Sequence, residues 1–148
     1  MKRRPWARFT EEAMQGRRVT VFGGTGFVGR YIVKRLAAEG ARVRVAARTI
    51  ESAKFLKPAG AVGQIAPVRV SLSHPETIAA AVDGADAVIN AIGILTESSR
   101  NSFRRAHVDG PGAIAAAAAE HGAAAFVHIS AIGADAASES AYARSKAM

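Results

Sequence analysis

The chain has 148 residues, enough for one domain with a real hydrophobic core. It contains no cysteine, which excludes a disulfide framework, a zinc ribbon and a thiol nucleophile, and no metal site is expected. Twenty Lys and Arg against 12 Asp and Glu give a formal net charge of +8, but no recognition motif accompanies that charge, so nucleic acid is not an expected partner.

Residues 1–16 read as a basic, flexible arm in front of a domain spanning 17–148. Lys2, Arg3, Arg4 and Arg8 carry its charge, with Trp6 and Phe9 between them. The arm lacks the apolar stretch of a secretory signal, and Glu11 and Glu12 argue against a transit peptide. A solvated terminus is one reading; docking on an anionic membrane surface or on an acidic partner subunit is the other. No apolar run approaches the roughly 18 residues that a membrane span needs.

From Arg17 onward, strand and helix patterns alternate. Short β-branched strands are expected at Arg18–Phe22, Arg42–Ala46, Ala66–Val70, Ala87–Ala91 and Ala125–Ile129. Helices are expected at Phe27–Glu39, Ile50–Lys57, Pro75–Val82, Arg100–His121 and from Ala141 onward. Gly40 and Gly122 mark helix ends, and Pro75 suits a first-turn position. Repeated βαβ units with right-handed crossovers give an α/β fold with a Rossmann-type, doubly wound parallel sheet of order 3-2-1-4-5. Ligand then binds beyond the carboxyl ends of the strands, so the residues that follow each strand carry the information.

After the first strand comes Gly23-Gly-Thr-Gly-Phe-Val-Gly29, running into a helix. Gly23 lets the chain turn sharply, Gly24 or Gly26 lets the backbone approach a pyrophosphate, and Gly29 lets the helix lie close on the strand. The helix N-terminus offers free N–H groups to the phosphates. After the second strand, at the position about 20 residues past the glycines where a site for NAD carries Asp or Glu, stands Arg48. A guanidinium there can clamp a 2′-phosphate, which favours NADP(H) over NAD(H); otherwise Arg48 is a solvated charge. After the third strand, Leu72 suits an adenine ring, with the Ser71 hydroxyl within reach of its edge. After the fourth, Ala91, Ile92 and Gly93 are small enough to let a cofactor cross the sheet, or simply form a tight strand exit. Arg100, Arg104 and Arg105 read as one exposed helix face.

After the fifth strand comes Ser130, and further on Tyr142-Ala-Arg-Ser-Lys146. Tyr142 and Lys146 fall on one helix face. A lysine ammonium beside a phenol lowers its pKa, so the tyrosine can exchange a proton while a serine holds the substrate oxygen.

These segments, with Asn90-Ala-Ile-Gly93 and Phe126-Val-His-Ile-Ser130, resemble the short-chain dehydrogenase/reductase superfamily in its extended or atypical, NAD-dependent epimerase/dehydratase-like branch, over about Arg17 to Met148. Within that branch they look most like the NADPH-binding accessory subunits of respiratory complex I and their bacterial relatives. The resemblance implies a bound nicotinamide dinucleotide, usually NADPH and regarded as structural. It puts Gly23, Thr25, Gly26, Phe27 and Val28 at the pyrophosphate, Arg48 at the 2′-phosphate and Ala91 to Gly93 along the dinucleotide. Ser130, Tyr142 and Lys146 fall on the catalytic positions, the last two also facing the cofactor. Expected partners are respiratory-complex subunits or an anionic membrane surface met through the basic arm. The expected location is cytoplasmic, including the inner face of a bacterial inner membrane.

Four departures stand out. Ser71 occupies a place where many members carry Asp, and His107 one where many carry Asn. Pro111 should kink the long helix or mark its true start. Family members run on for about as long again, so the expectation is a truncated chain lacking the later strands and the substrate region, with an apolar sheet edge open to self-association. Two functions follow: an NADP(H)-holding accessory or assembly protein, or an oxidoreductase or epimerase using Ser130, Tyr142 and Lys146. Independent catalysis by these 148 residues is not expected.

Overall fold

The computed structural model describes residues 14–148. The expected arm lies outside the described residues, except that residues 14–16 are built into the domain: Met14 is buried in the core and the Gly16 N–H donates to the Gly40 carbonyl.

Five parallel strands form one sheet in the order β3-β2-β1-β4-β5, as the strand pattern predicts. They are β1 (Arg18–Phe22), β2 (Arg42–Ala47), β3 (Ile65–Arg69), β4 (Ala87–Asn90) and β5 (Ala125–His128). Successive side chains on a strand point to opposite sides, so valines two residues apart share a face. Val19, Val21, Val43 and Val45 are packed beneath helix α1 (Phe27–Ala38) and a 3-10 helix at Glu51–Ala59. On the other face Phe22, Ala46 and Val88 meet α2 (Pro75–Val82) and α3 (Gly110–Glu120). Pro67 lies in β3, an edge strand, where a missing N–H breaks no ladder on the outer side. At the opposite edge, Phe126 and Val127 of β5 are exposed.

Two elements differ from the expected helices. The segment expected as an α-helix at Ile50–Lys57 is 3-10, with Pro58 inside it removing a donor from the last turn. The long helix expected at Arg100–His121 is a π-helical segment at Arg104–Asp109 that becomes α3 at Gly110. The break falls next to Pro111, which has no N–H to offer an α-helical ladder. The Gly110 N–H instead reaches back five residues to the carbonyl of Arg105. Last comes α4 (Ala141–Ala147), capped by the Ser140 hydroxyl, which accepts from the Ala143 N–H. Among the described residues no helix is long and apolar enough to cross a membrane.

Candidate functional site

The carboxyl ends of β1, β2 and β4 open into a cleft of about 290 Å³. Its walls come from Gly23, Thr25 and Gly26 after β1, Arg48 after β2, Leu72 after β3 and Ala91–Ile94 after β4, with Asn101, Arg105 and Ala106 beyond. These are the strand exits where a doubly wound sheet binds its ligand. The lining includes two arginines and neither Asp nor Glu.

The glycine turn is built by close approach. Gly23 adopts φ +74°, and a Cβ there would lie 2.7 Å from the backbone of Ala91 and of Ile92, so the turn and the β4 exit touch main chain to main chain. A Cβ on Gly29 would stand 2.0 Å from the Gly23 carbonyl oxygen, so α1 can cross the turn only because that residue is glycine. Gly24 packs inward between Val45 and Val33 and does not line the cleft, whereas Gly26 does. Phe27 and Val28 stand at the start of α1, where first-turn N–H groups have no helical acceptor, but their side chains line a separate apolar groove with Tyr31.

Sequence reasoning passed over Arg30. From the first turn of α1 its guanidinium reaches back to donate to the carbonyls of Gly26 (3.1 Å) and Thr25 (3.2 Å), and it lies over the Phe55 ring. It therefore braces the Thr25 and Gly26 carbonyls of the glycine turn. Its spacing four residues after Gly26 is the signal that could have revealed it.

At the β4 exit, Asn90 is fully buried. Its Oδ1 accepts from the Ile92 N–H (3.2 Å) and its Nδ2 donates to His128 Nδ1 (3.0 Å) on β5. The side chain thus fixes the path of Ala91–Gly93 over the sheet. Ser71 lies outside the cleft wall; its hydroxyl accepts from the Ser73 N–H and meets His74, while Thr77 bonds its backbone. Leu72 alone of that pair faces the cleft.

Ser130 and Lys146 meet at the β5 exit, Tyr142 contacts Phe103 and His107 instead, and none of the three lines the cleft. The Ser130 hydroxyl donates to the Lys146 carbonyl (3.3 Å), and the Lys146 ammonium donates to the Ile129 carbonyl (2.8 Å). Lys146 is 9% exposed, and burial lowers its pKa from the ordinary lysine range. The Tyr142 ring packs edge-on against Phe103 and His107.

His107 ties these parts together. Its Nε2 accepts from the Ile94 N–H at 3.0 Å, so the proton of the neutral ring sits on Nδ1 and is donated to Ser145 Oγ at 2.8 Å. Ser145 passes its own proton to the Tyr142 carbonyl at 2.7 Å. Burial lowers the His107 pKa, with the Lys146 and His128 charges acting in the same direction. Burial and the Lys146 charge also lower that of His128.

A parallel sheet of order 3-2-1-4-5, a glycine turn leading into α1 and an apolar cleft over the switch point define a dinucleotide-binding domain of the short-chain dehydrogenase/reductase type. The chain belongs to the NAD(P)H-binding family, whose model matches residues 23–148. It is 35% identical over 135 residues to the NADH-ubiquinone oxidoreductase 40 kDa subunit of Neurospora crassa mitochondria, covering 91% of this chain and 36% of that protein. It is 33% identical to the ceramide reductase of Caulobacter vibrioides, covering 86% of this chain and 39% of that one. In three dimensions it is similar to a short-chain dehydrogenase/reductase from Serratia marcescens, with a TM-score of 0.72 at 25% identity, covering 90% of this chain and 64% of that chain. The chain thus spans well under half the length of those two curated relatives. Complex I subunits are among its homologues, and it is an NAD(P)-binding domain of the same superfamily.

The residues present suit a dinucleotide. A cleft with two cations and no acid accepts phosphates, the glycine turn keeps side chains away from the pyrophosphate path, and Val70, Leu72 and Ala106 offer an apolar wall to a base.

Proposed function

We propose that the chain holds NADP(H) as a structural nucleotide in an accessory or assembly protein related to the nucleotide-binding subunit of complex I. The observation that carries the cofactor choice is Arg48 in a cleft without an acidic residue. Arg48 clamps the 2′-phosphate, Gly23, Thr25 and Gly26 border the pyrophosphate, and Ala91, Ile92 and Gly93 face the adenosine or nicotinamide half. Leu72 faces adenine.

A structural role for the nucleotide is supported by how the would-be catalytic groups are engaged. Lys146 and Ser130 are bonded to main-chain carbonyls, and Tyr142 packs edge-on against the stacked Phe103 and His107 rings. The basic arm docks the protein on a respiratory-complex partner or on an anionic membrane surface, including the inner face of a bacterial membrane. The exposed Phe126 and Val127 of β5 support self-association along that strand.

A second reading is an oxidoreductase or epimerase. It is supported by Ser130 and Lys146 meeting at one strand exit, by Tyr142 and Lys146 sharing one helix, and by similarity to a protein named as a reductase. When bound, the cofactor supplies hydride. Ser130 would hold the substrate oxygen, Tyr142 would exchange its proton, and Lys146 would lower the phenol pKa.

The test is to extract the nucleotide from protein purified without added cofactor, and to compare unmodified chain with Tyr142→Phe. Tightly held NADP(H), no turnover with carbonyl or sugar-nucleotide substrates and unchanged retention in the variant are expected. Reduction of a carbonyl that Tyr142→Phe abolishes would establish the second reading.

A further inference from the structure

Of the arginines expected to form one exposed helix face, the three point to different tasks. All three are exposed, as expected, but Arg100 lies outside the helix, Arg104 pairs with Asp109 at 3.5 Å and Arg105 lines the cleft. Arg48 follows β2 and Arg105 lies in the segment after β4, so the two cations enter the cleft from elements on either side of β1.

Arg105 shares the cleft lining with apolar side chains as well as with Arg48. The apolar part of that lining is Val70, Leu72, Ile92 and Ala106. One guanidinium N–H is held by the Arg100 carbonyl at 3.2 Å, and the Arg105 backbone N–H is held by Ser102 Oγ at 3.1 Å. The backbone beneath is unusual as well. The Gly110 N–H closes the π-helical turn on the Arg105 carbonyl, and a Cβ on Gly110 would lie 2.8 Å from both that oxygen and Leu72 Cδ1. The Arg105 backbone carbonyl and the Leu72 side chain therefore pack against the same glycine. Single π-helical turns are uncommon and concentrate at functional sites.

A tethered, planar cation beside an apolar wall suits a flat heteroaromatic ring, which the wall accepts by contact and the guanidinium covers by stacking. We infer that Arg105 caps the adenine ring of the bound dinucleotide against Leu72 and Ala106. This rests on the reading that the cleft holds the adenosine half of NADP(H), and it adds a residue that recognises the base independently of the phosphate clamp. Arg48 reads the 2′-phosphate; Arg105 reads the ring.

Calorimetric titration of the chain with ADP, inorganic pyrophosphate, NADH and NADPH separates these roles. Arg105→Ala should weaken ADP, NADH and NADPH by a common factor of about 5 to 10, leaving pyrophosphate binding and the NADPH/NADH ratio unchanged. Arg105→Gln, which keeps a planar amide, should recover part of the loss. Unchanged ADP affinity in Arg105→Ala overturns the proposal, as does a loss confined to NADPH, which would make Arg105 a second phosphate clamp. An unchanged NADPH/NADH ratio in Arg48→Ala would remove the phosphate reading and leave the adenine cap standing. Failure of the unmodified chain to bind either ADP or NADPH would remove both.

Discussion

His107 joins the β4 exit to helix α4: its Nε2 holds the Ile94 N–H at 3.0 Å and its Nδ1 holds Ser145 Oγ at 2.8 Å. Ile94 lines the cleft, and Ser145 lies next to Lys146 in the chain. One neutral imidazole therefore couples the cofactor wall to the helix that bears Tyr142 and Lys146. Both bonds need the same tautomer, and protonation of Nε2 would break the bond to Ile94.

Stability should accordingly fall on acidification. His107 and His128 have lowered folded-state pKa values, so below about pH 6.5 the unfolded chain binds protons more readily than the folded one. Their contribution is complete above that pH and is lost as pH drops through the folded values. Urea midpoints measured between about pH 7.5 and pH 5 should decline, and His107→Gln, whose amide oxygen can still accept from Ile94, should flatten the decline. Equal declines in His107→Gln and in the unmodified chain would show that His107 does not contribute.

Arg48→Ala should weaken NADPH by at least about tenfold and leave NADH nearly unchanged, because a charge-assisted hydrogen bond contributes about 1.5–3 kcal/mol. Fluorescence titration of both cofactors measures the ratio. Equal losses for the two would place Arg48 away from the 2′-phosphate.

Three glycine-to-alanine changes should differ in sign and size. Gly29→Ala forces a methyl group to within 2.0 Å of the Gly23 carbonyl, and should cost about 3 kcal/mol or more in denaturant unfolding while also loosening the nucleotide turn. Gly110→Ala meets the Arg105 carbonyl and Leu72, and should cost about 1–3 kcal/mol with weaker nucleotide binding. Gly112 lies in α3 with nothing within 4 Å of its Cβ position, so Gly112→Ala should stabilise by about 0.5–1 kcal/mol.

Tyr142→Phe keeps the ring contacts with Phe103 and His107 and should change stability by less than about 0.5 kcal/mol. Tyr142→Ala empties the space beside the stacked Phe103 and His107 rings and should cost about 2–4 kcal/mol. Thermal melting of the two variants distinguishes a packing ring from a hydroxyl essential to the fold.

Strand order, the glycine turn and the cleft-facing positions of Arg48 and Leu72 were legible in the chain because they depend on local rules. Short β-branched runs make buried parallel strands, glycine permits the turn, and in this fold ligand-facing residues directly follow strands. Ser71 was misleading for the same reason: it follows a strand, yet its hydroxyl is taken up by the turn into α2. The π-helical turn was legible only as a disturbance at Pro111. Its shape depends on Leu72 filling the space that Gly110 leaves, a contact between residues far apart in sequence.

By itself, then, the sequence determined a five-stranded dinucleotide fold and which strand exits form its cleft, since periodicity and backbone permissiveness are properties of neighbouring residues. Only the tertiary structure decided that Arg30 braces the glycine turn, that His107 spans from Ile94 to Ser145, and that Arg105 turns into the cleft while Arg104 pairs with Asp109. Each of these depends on where a long or polar side chain finds its partner once the strands are in register, and that choice is set by packing across the fold.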